Sequence, residues 1–369
     1  MTYAPREPTA WNCFPFWRAI SEYEGGKSLS RTTLQDVAKT AGVSLATVDR
    51  VLNRRPGVHA DTAERVQRAI ERLNYRPDRL AARLARGRDH RFEFILPTGT
   101  NAFMQLLEER LRATAEYVAG ERVRISVSHA DVFDGDALAA SLEKLKGHAD
   151  GVAVVALDHP AVCEAIDDLT ESGVTVVTLV SDAPRSRRAH YVGIDNSAAG
   201  RTAGTLLGRF LGGRQGKVGL IAGSMALRDH VERQFGFEQV ITRDFPALTL
   251  LPIREGRDKD DRVEELATGL LREHDDLVGI YNVGAGNGGI VAALEASGRA
   301  RDVIFVAHEL TAFSRRHLIR GTIDAIINQD PGHEGRSATR LLVAEREGMP
   351  IDAGQERIRI DIFMRDNVP

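Results

Sequence analysis

The chain has 369 residues, of which 43% are hydrophobic and 27% charged, so it is long enough for two or three globular domains with large cores. No run of about eighteen apolar residues is present to span a membrane, and residues 1–20 lack the pattern of a signal peptide. Cys13 and Cys163 lie far apart in dissimilar contexts, which favours reduced thiols and a cytoplasmic location. No metal-ligand spacing is apparent, so we expect no metal site.

The charge is unevenly distributed along the chain. The formal net charge is −3, but residues 31–91 contain fourteen Lys or Arg and seven Asp or Glu, a net charge of +7, which leaves −10 for the remainder. A basic segment on an acidic body favours a polyanionic partner at one end only. Residues 1–30 precede this segment, and we expect a disordered N-terminal extension there. Its aromatic residues leave a docking role open.

Residues 33–53 predict two short helices joined by a tight turn. Thr33 and Asp36 have the spacing of a helix N-cap, Gly42 supplies the turn, and Ser44 caps the second helix. On that second helix, one set of residues faces outward while Val48 and its apolar neighbours face a core. A short helix of this kind can enter a DNA major groove. The outward residues are Leu45, Ala46 and Arg50.

A third helix is predicted from Asp61, because apolar residues recur at helical spacing until Pro77, which cannot continue a helix. The segment "DRLAARLARGR" follows at residues 78–88 as a short basic helix-former.

From Phe92 onward, short β-branched runs alternate with longer helical patterns. One series of runs lies between residues 92 and 195 and a second between 217 and 308. Near-continuous apolar strands that alternate with helices predict two parallel-sheet lobes covered on both faces. We expect the chain to cross between lobes near residues 193, 329 and 356, with a ligand in the cleft beyond the carboxyl ends of the strands.

The run "LQDVAKTAGVSLATVDRVLN", followed by "VHADTAERVQRAIERLNYRPDRLAARLARGR", resembles the DNA-binding headpiece of the lactose-repressor/purine-repressor (LacI/PurR) family of bacterial transcriptional regulators. The remainder resembles ribose-binding-protein-like ligand domains of the periplasmic-binding-protein type I fold. The resemblance implies a helix-turn-helix headpiece at 31–77, a hinge helix or linker at 78–90 and a two-lobed ligand-binding and dimerisation core at 91–369. The lobe near DNA would comprise 91–193 and 330–355, and the far lobe 194–329 and 356–369.

The resemblance also implies which residues contact DNA. The outward residues of the second helix would read base edges, with Arg50 forking to a guanine, while hydroxyl and amide side chains would mainly contact phosphates. The hinge would insert a leucine into the minor groove. The DNA-contacting residues are therefore expected to be Thr33, Ser44, Leu45, Ala46, Thr47, Arg50, Asn53 and Leu84.

Polar and aromatic residues at the ends of predicted strands match, to different degrees, the ligand site of the family. Amide, arginine and carboxylate groups suit a polyhydroxyl ligand, and a phenylalanine can stack on the C–H face of a sugar. Glu309 stands where the family usually has an Asp, so the sugars of the family cannot be transferred by name. The expected ligand-binding residues are Asn101, Phe103, Asp158, Asp182, Arg233, Asn282, Glu309 and Gln329.

An alternative reading comes from Gly284, Gly286 and Gly289, which have GxGxxG spacing between a predicted strand and a predicted helix. That pattern is typical of nicotinamide-dinucleotide binding, either in a redox-sensing repressor or in a dehydrogenase fused to a headpiece. In dinucleotide-binding domains the GxGxxG motif opens the first βαβ unit. In this chain the three glycines instead follow three predicted strands of their lobe.

No nucleophile-base-acid constellation is apparent, so we expect no enzymatic activity and no catalytic residue. The resemblance predicts a ligand-responsive repressor of carbohydrate or polyol uptake and catabolism genes. It would be a cytoplasmic homodimer, with a tetramer as an alternative, on a near-palindromic double-stranded operator. The effector would be a sugar, a sugar acid or a polyol. We expect no cofactor and no membrane partner.

Overall fold

The computed structural model describes residues 32–52, 56–75, 89–99 and 101–369. The chain divides into two compact units, residues 1–86 and 87–369. The expectations for residues 1–30, for Asn53 and for hinge residues 78–88, including Leu84, lie outside the described residues. Within the described residues, no helix is long and apolar enough to cross a membrane.

The first unit contains three helices, α1 (Leu34–Ala41), α2 (Leu45–Leu52) and α3 (Ala60–Arg72). The predicted capping box is confirmed, because the Thr33 hydroxyl accepts the Asp36 backbone N–H and the Asp36 carboxylate accepts the Thr33 N–H. Gly42 ends α1 with φ of +66°, a left-handed conformation that glycine adopts without a Cβ penalty. One valine from each helix is fully buried in the core: Val37, Val48 and Val66.

The second unit begins with a five-stranded parallel sheet of order β2-β1-β3-β4-β5, which forms the first lobe. Three α-helices and a 3₁₀ turn at 119–121 connect its strands. The elements in chain order are β1 (His90–Pro97), α4 (Ala102–Val118), β2 (Val123–Ala130), α5 (Gly135–Glu143), β3 (Gly151–Val154), α6 (Pro160–Glu171), β4 (Thr175–Leu179) and β5 (His190–Val192).

The second lobe contains a sheet of order β12-β11-β10-β9-β6-β7, with β8 also paired to β6. Its pairs are parallel except β11–β12. The remaining elements of the chain, of which α12 and α13 follow the return to the first lobe, are α7 (Asn196–Leu211), β6 (Gly216–Ala222), α8 (Arg228–Asp244), β7 (Leu248–Leu250), β8 (Arg254–Glu255), α9 (Asp260–Glu273), β9 (Leu277–Asn282), α10 (Asn287–Ala296), β10 (Ile304–His308), α11 (Ala312–Arg320), β11 (Ala325–Asn328), α12 (Pro331–Glu347), α13 (Ala353–Glu356) and β12 (Asp361–Phe363).

The predicted fold class is confirmed: a helical headpiece is followed by two lobes with parallel sheets. After β11 the chain returns to the first lobe, where α12 packs on α4 and on strands β1, β3, β4 and β5. It then crosses again, and β12 closes the edge of the second sheet. The sequence patterns missed β11 and β12, because runs of four and three residues are too short for periodicity to distinguish from a loop.

Glycines bring α7 and α8 of the second lobe into backbone contact. A Cβ on Gly200 would lie 2.0 Å from the Arg233 carbonyl oxygen, and a Cβ on Gly236 would lie 2.1 Å from the Ser197 carbonyl oxygen. Gly204 and Gly208 continue the same face of α7 against α8 and Phe245. Any larger residue at the closest points would therefore force the two helices apart.

We expect Gly200→Ala to destabilise the protein by roughly 1–3 kcal/mol, because the added methyl group overlaps backbone that cannot rotate away. The intrinsic preference of a helix for Ala opposes this loss by about 1 kcal/mol, so the sign of the net effect tests the close contact. Urea unfolding measures the change in the free energy of unfolding. Gly120→Ala is the matched control, since a Cβ there meets no atom within 4 Å. Equal stability of the two variants would contradict the steric argument.

Candidate functional site

Helix α2 presents an exposed face in the first unit. Leu45 is 45% exposed, and Ala46 and Arg50 are also exposed, while Val48 is fully buried. The Ser44 hydroxyl accepts the Thr47 backbone N–H at 3.2 Å, which fixes the start of the helix. These exposed residues are the ones for which base contacts are expected. The Thr33 hydroxyl, also expected at DNA, is bonded to the Asp36 carboxylate in the cap of α1.

A cavity of about 490 Å³ lies between the two lobes, within the size range of small-molecule sites. The first lobe contributes side chains that follow β1, β2, β3 and β4, and the second lobe contributes the start of α8 and the loops that follow β8, β9 and β10. Gln329 lies at a lobe crossing. The side chains from the expected set that line the cavity are Asn101, Phe103, Arg233, Glu309 and Gln329.

Arg233 is 2% exposed at the floor of this cavity. Its Nε donates to Asn196 Oδ1 at 2.8 Å and its Nη1 donates to the Val283 carbonyl oxygen at 2.9 Å. Its Nη2 makes no hydrogen bond within the described residues and lies 3.9 Å from an Asp229 carboxylate oxygen. One edge of the guanidinium is thus fixed by the protein, and one N–H pair is left for a ligand.

Several buried acceptors share the cavity with this donor. Gln329 Nε2 donates to Glu309 Oε1 at 2.8 Å, which leaves Glu309 Oε2 and Gln329 Oε1 without a hydrogen bond in the described part of the chain. Asp229 Oδ1 and the Ser181 hydroxyl are in the same condition. Buried polar groups normally have partners, so a group of unpaired ones at one cavity indicates a polar ligand site.

Backbone strain is concentrated at the same place. Val180, Arg257, Asp258 and Glu309 line the cavity and have φ between +52° and +69°. The left-handed region is unfavourable for residues with a Cβ, above all for a β-branched one such as Val180. Such strain clusters at ligand sites, where the surrounding structure holds it in place.

Three expected ligand residues do not line the cavity, because each is held by another partner. The Asp158 carboxylate accepts Arg185 at 2.9 Å and Arg228 at 3.3 Å, while Asp182 pairs with Arg188. Asn282 is fully buried, and its Nδ2 donates to the Ala285 carbonyl oxygen and to Asn287 Oδ1, so it holds the loop before α10.

Sequence reasoning missed Asp229, His230 and Asp258, which line the cavity. A signal for Asp229 existed, because it stands four residues before Arg233 and therefore on the same helical face. No comparable signal existed for Asp258. It reaches the cavity through consecutive left-handed residues, and its carboxylate accepts Asn101 Nδ2 at 3.3 Å and the Ala285 N–H at 3.0 Å.

Contacts cross the mouth of the cleft as well as its floor. Leu227, at the start of α8, is buried in the hydrophobic cluster of the first lobe, which includes Val132 and Val162. The Asp158–Arg228 and Asn101–Asp258 bonds also join the two lobes. The lobes are therefore in direct contact on both sides of the cavity.

The GxGxxG glycines have packing roles in this fold. A Cβ on Gly289 would lie 2.2 Å from the Asp260 carbonyl oxygen, so this glycine allows α9 and α10 to approach closely. A Cβ on Gly288 would lie 2.7 Å from an Asp260 carboxylate oxygen, which places a negative charge beside the start of α10, where a pyrophosphate would bind. The nicotinamide alternative therefore gains no support from this loop.

Two family models match the chain. The model of bacterial regulatory proteins of the lacI family matches residues 33–78, and that of the periplasmic binding protein domain matches residues 92–349. Over more than half of its length the chain belongs to the periplasmic binding protein domain family, and residues 33–78 form a lacI-family helix-turn-helix domain. Its two matched regions correspond to the helix-turn-helix unit and to the two-lobed unit that contains the cavity.

Curated relatives of this chain include catabolite control protein A of Priestia megaterium, which is 32% identical over 149 residues, 40% of this chain and 43% of the relative. The protein of the same name from Streptococcus mutans is 40% identical over 75 residues, 20% of this chain and 22% of the relative. The aligned regions span less than half of each of these two relatives.

Solved structures resemble the two-lobed unit of the chain. A glucose-galactose binding protein from Geobacillus stearothermophilus has a TM-score of 0.69 and 23% identity, covering 76% of this chain and 99% of that one. A solute-binding protein of an ABC transporter from Burkholderia graminis, in complex with D-arabinose, has a TM-score of 0.69 and 24% identity, covering 76% and 96%. At this identity the resemblance establishes the fold.

Burial raises the pKa of Glu309 in the cavity to about 7, although Arg233 and the hydrogen bond from Gln329 act to lower it. Burial also raises the pKa of Glu334, on α12, well above its usual range, and the negative charge of Glu309 adds to this rise. The buried carboxyl groups beside Arg233 are thus only partly compensated by it.

We expect the contribution of Glu309 to stability to fall as the pH rises from 4.5 to about 7, because in this window the folded state binds the proton more tightly than the unfolded state. The full loss is roughly 3 kcal/mol. Urea unfolding between pH 4.5 and 8 should show Glu309→Gln gaining stability relative to the native protein as the pH rises. Glu109→Gln, on the exposed side of α4, should follow the native protein. A constant difference between the native protein and Glu309→Gln would refute the shifted pKa.

Proposed function

We propose that the protein is a ligand-responsive, sequence-specific transcriptional repressor that binds a near-palindromic operator as a homodimer. The observation that carries the proposal is the combination, in one chain, of an exposed helix-turn-helix face and a cavity lined from two lobes by unpaired polar groups. The relatives named catabolite control protein A and the sugar-binding proteins of similar fold support carbohydrate control. The effector would be a sugar, a sugar derivative or a polyol, and the controlled genes those of its uptake and catabolism.

The effector would act by changing the relative stability of lobe arrangements. A ligand shifts such an equilibrium only if it binds one arrangement more tightly, and a cavity lined by both lobes meets that condition. Asn101 and Phe103 would hold the ligand from the first lobe, and Arg233 and Glu309 from the second. The resulting rotation of one lobe would change the separation of the paired hinge segments and thereby alter DNA binding.

An enzymatic role has less support. The cavity contains carboxylates, two arginines, one lysine and one histidine, but its one buried hydroxyl, Ser181 Oγ, lacks a hydrogen-bonded base among the described residues. The described residues also contain no cluster of three or more metal-binding side chains.

We expect Arg50→Ala to lose discrimination between operator and random DNA by roughly tenfold or more, because a bidentate arginine–guanine pair contributes about 1–3 kcal/mol of discrimination. A competition gel-shift assay with the selected operator and scrambled DNA measures this ratio. Arg68→Ala on α3 removes another exposed arginine and is the matched control. Unchanged selectivity in Arg50→Ala would exclude this residue from base recognition.

We expect Arg233→Ala to abolish the response to effector while the operator is still bound, because the substitution removes the only unpaired buried N–H donor among the described cavity residues. The measurement is operator release as a function of effector concentration, with thermal unfolding as the check on folding. Arg243→Ala is the control, since Arg243 lies on the same helix but pairs with Asp244 at the surface. A normal response in Arg233→Ala would remove Arg233 from the ligand site.

A further inference from the structure

The buried polar atoms of the cavity are unequally divided between donors and acceptors. Three of these atoms are carboxylate or amide oxygens, which accept hydrogen bonds: Asp229 Oδ1, Glu309 Oε2 and Gln329 Oε1. None of them has a hydrogen bond among the described residues. Arg233 Nη2 is the corresponding donor, and the Ser181 hydroxyl can act in either sense. A ligand that satisfies this set must offer more donors than acceptors at the buried end.

The buried charged groups of the cavity are also unequally divided, because carboxylates outnumber the buried arginine. Asp229 and Glu309 are 5% and 9% exposed, whereas Arg233 directs two of its nitrogens to neutral oxygens, those of Asn196 and Val283. His230 Nε2 lies 3.6 Å from Asp229 Oδ2, and its Nδ1 is engaged with the backbone of Ser224. Buried carboxylates are costly unless a cation and hydrogen bonds compensate them.

We propose that the effector carries a protonated primary amine, as in an amino sugar or an amino polyol, seated against Asp229, Glu309 and Gln329. This inference rests on the proposed function and names the chemical class of its effector. An ammonium group donates three hydrogen bonds and accepts none, which matches three unpaired acceptors. A sugar hydroxyl brings lone pairs that the single arginine edge and Ser181 must satisfy, and the carboxylate of a sugar acid adds a third negative charge.

The remainder of the cavity suits the hydroxyl-bearing part of such a ligand. Arg233 Nη2 and the Ser181 hydroxyl can bond hydroxyl oxygens, and Phe103 and Phe133 provide aromatic surface for C–H groups. Arg257 and Lys259 lie at exposed positions of the lining, so their charges are screened by solvent. Burial also raises the pKa of Glu309 to about 7, as expected for a carboxyl group that lacks a full cationic partner.

Titration calorimetry on the full-length protein at pH 7.5 tests the proposal with matched compounds. The probes are D-glucose, D-glucosamine, N-acetyl-D-glucosamine and D-glucuronate, the corresponding galactose and mannose sets, and sorbitol with 1-amino-1-deoxysorbitol. We expect at least one free amine to bind at least about tenfold tighter than its hydroxyl analogue, which corresponds to about 1.4 kcal/mol. The N-acetyl and carboxylate analogues should bind more weakly than the amine.

Variants then connect the preference to the two carboxylates. Glu309→Gln and Asp229→Asn should each lower the ratio of amine affinity to hydroxyl affinity by about tenfold, since hydrogen bonds to charged groups are the stronger ones. Glu309→Asp should retain most of the ratio, and Glu109→Gln should leave it unchanged. The ratio compares two ligands on one protein sample, so a partly inactive variant does not distort it.

Each outcome of the experiment decides the question. If neutral sugars or sugar acids bind more tightly than every amine and release the operator, the effector class is refuted while the proposed function stands. If no compound of the panel binds, the carbohydrate effector of the proposed function fails together with the inference. An amine preference that persists unchanged in both neutral variants would also refute the assignment to Asp229 and Glu309.

Discussion

The backbone contact between α7 and α8 determines the floor of the cavity. Gly200 and Gly236 have no side chain at the closest points, so the Arg233 carbonyl group can lie against one helix while its guanidinium extends beneath the cleft. The guanidinium in this position is buried, and its bonds to Asn196 and Val283 determine which nitrogen remains unpaired. The shape of the ligand site therefore depends on small residues that no ligand would touch.

The same arginine connects the site to the crossings between the lobes. Asn196, which accepts Arg233 Nε, donates to the Tyr191 hydroxyl at 3.0 Å, and that hydroxyl donates to the Val180 carbonyl oxygen at 2.9 Å. Val180 is the strained residue of the first-lobe lining. At a second crossing, Gln329 donates to Glu309, one of the strained residues of the second lobe. A ligand that changes the position of Arg233 or Glu309 thus acts on residues at which one lobe continues into the other.

Sequence patterns predicted the helices of the headpiece and the order of most strands, because capping, turns and apolar periodicity are local properties. The family resemblance pointed to Arg233, Glu309 and Gln329, and these three residues line the cavity. Sequence patterns could not exclude Asp158 and Asp182, because an aspartate at a strand end is equally compatible with a ligand and with an arginine partner distant in sequence. Asp258 was missed for the converse reason: its position depends on two left-handed residues that no sequence pattern announces.

Under the proposed function, the polar groups of the cavity would give the protein a physical means of responding to a ligand. Asp229, Arg233 and Glu309 line the cavity from the second lobe, whereas Asn101 and Ser181 line it from the first lobe. Leu227 in the first-lobe cluster and the Asp158–Arg228 bond join the two lobes in this arrangement. A ligand that bonded groups of both lobes at once would bind this arrangement more tightly than one in which the lobes are apart. Its binding energy would then be converted into a preference between lobe positions, which is the property that a ligand-controlled DNA-binding protein requires.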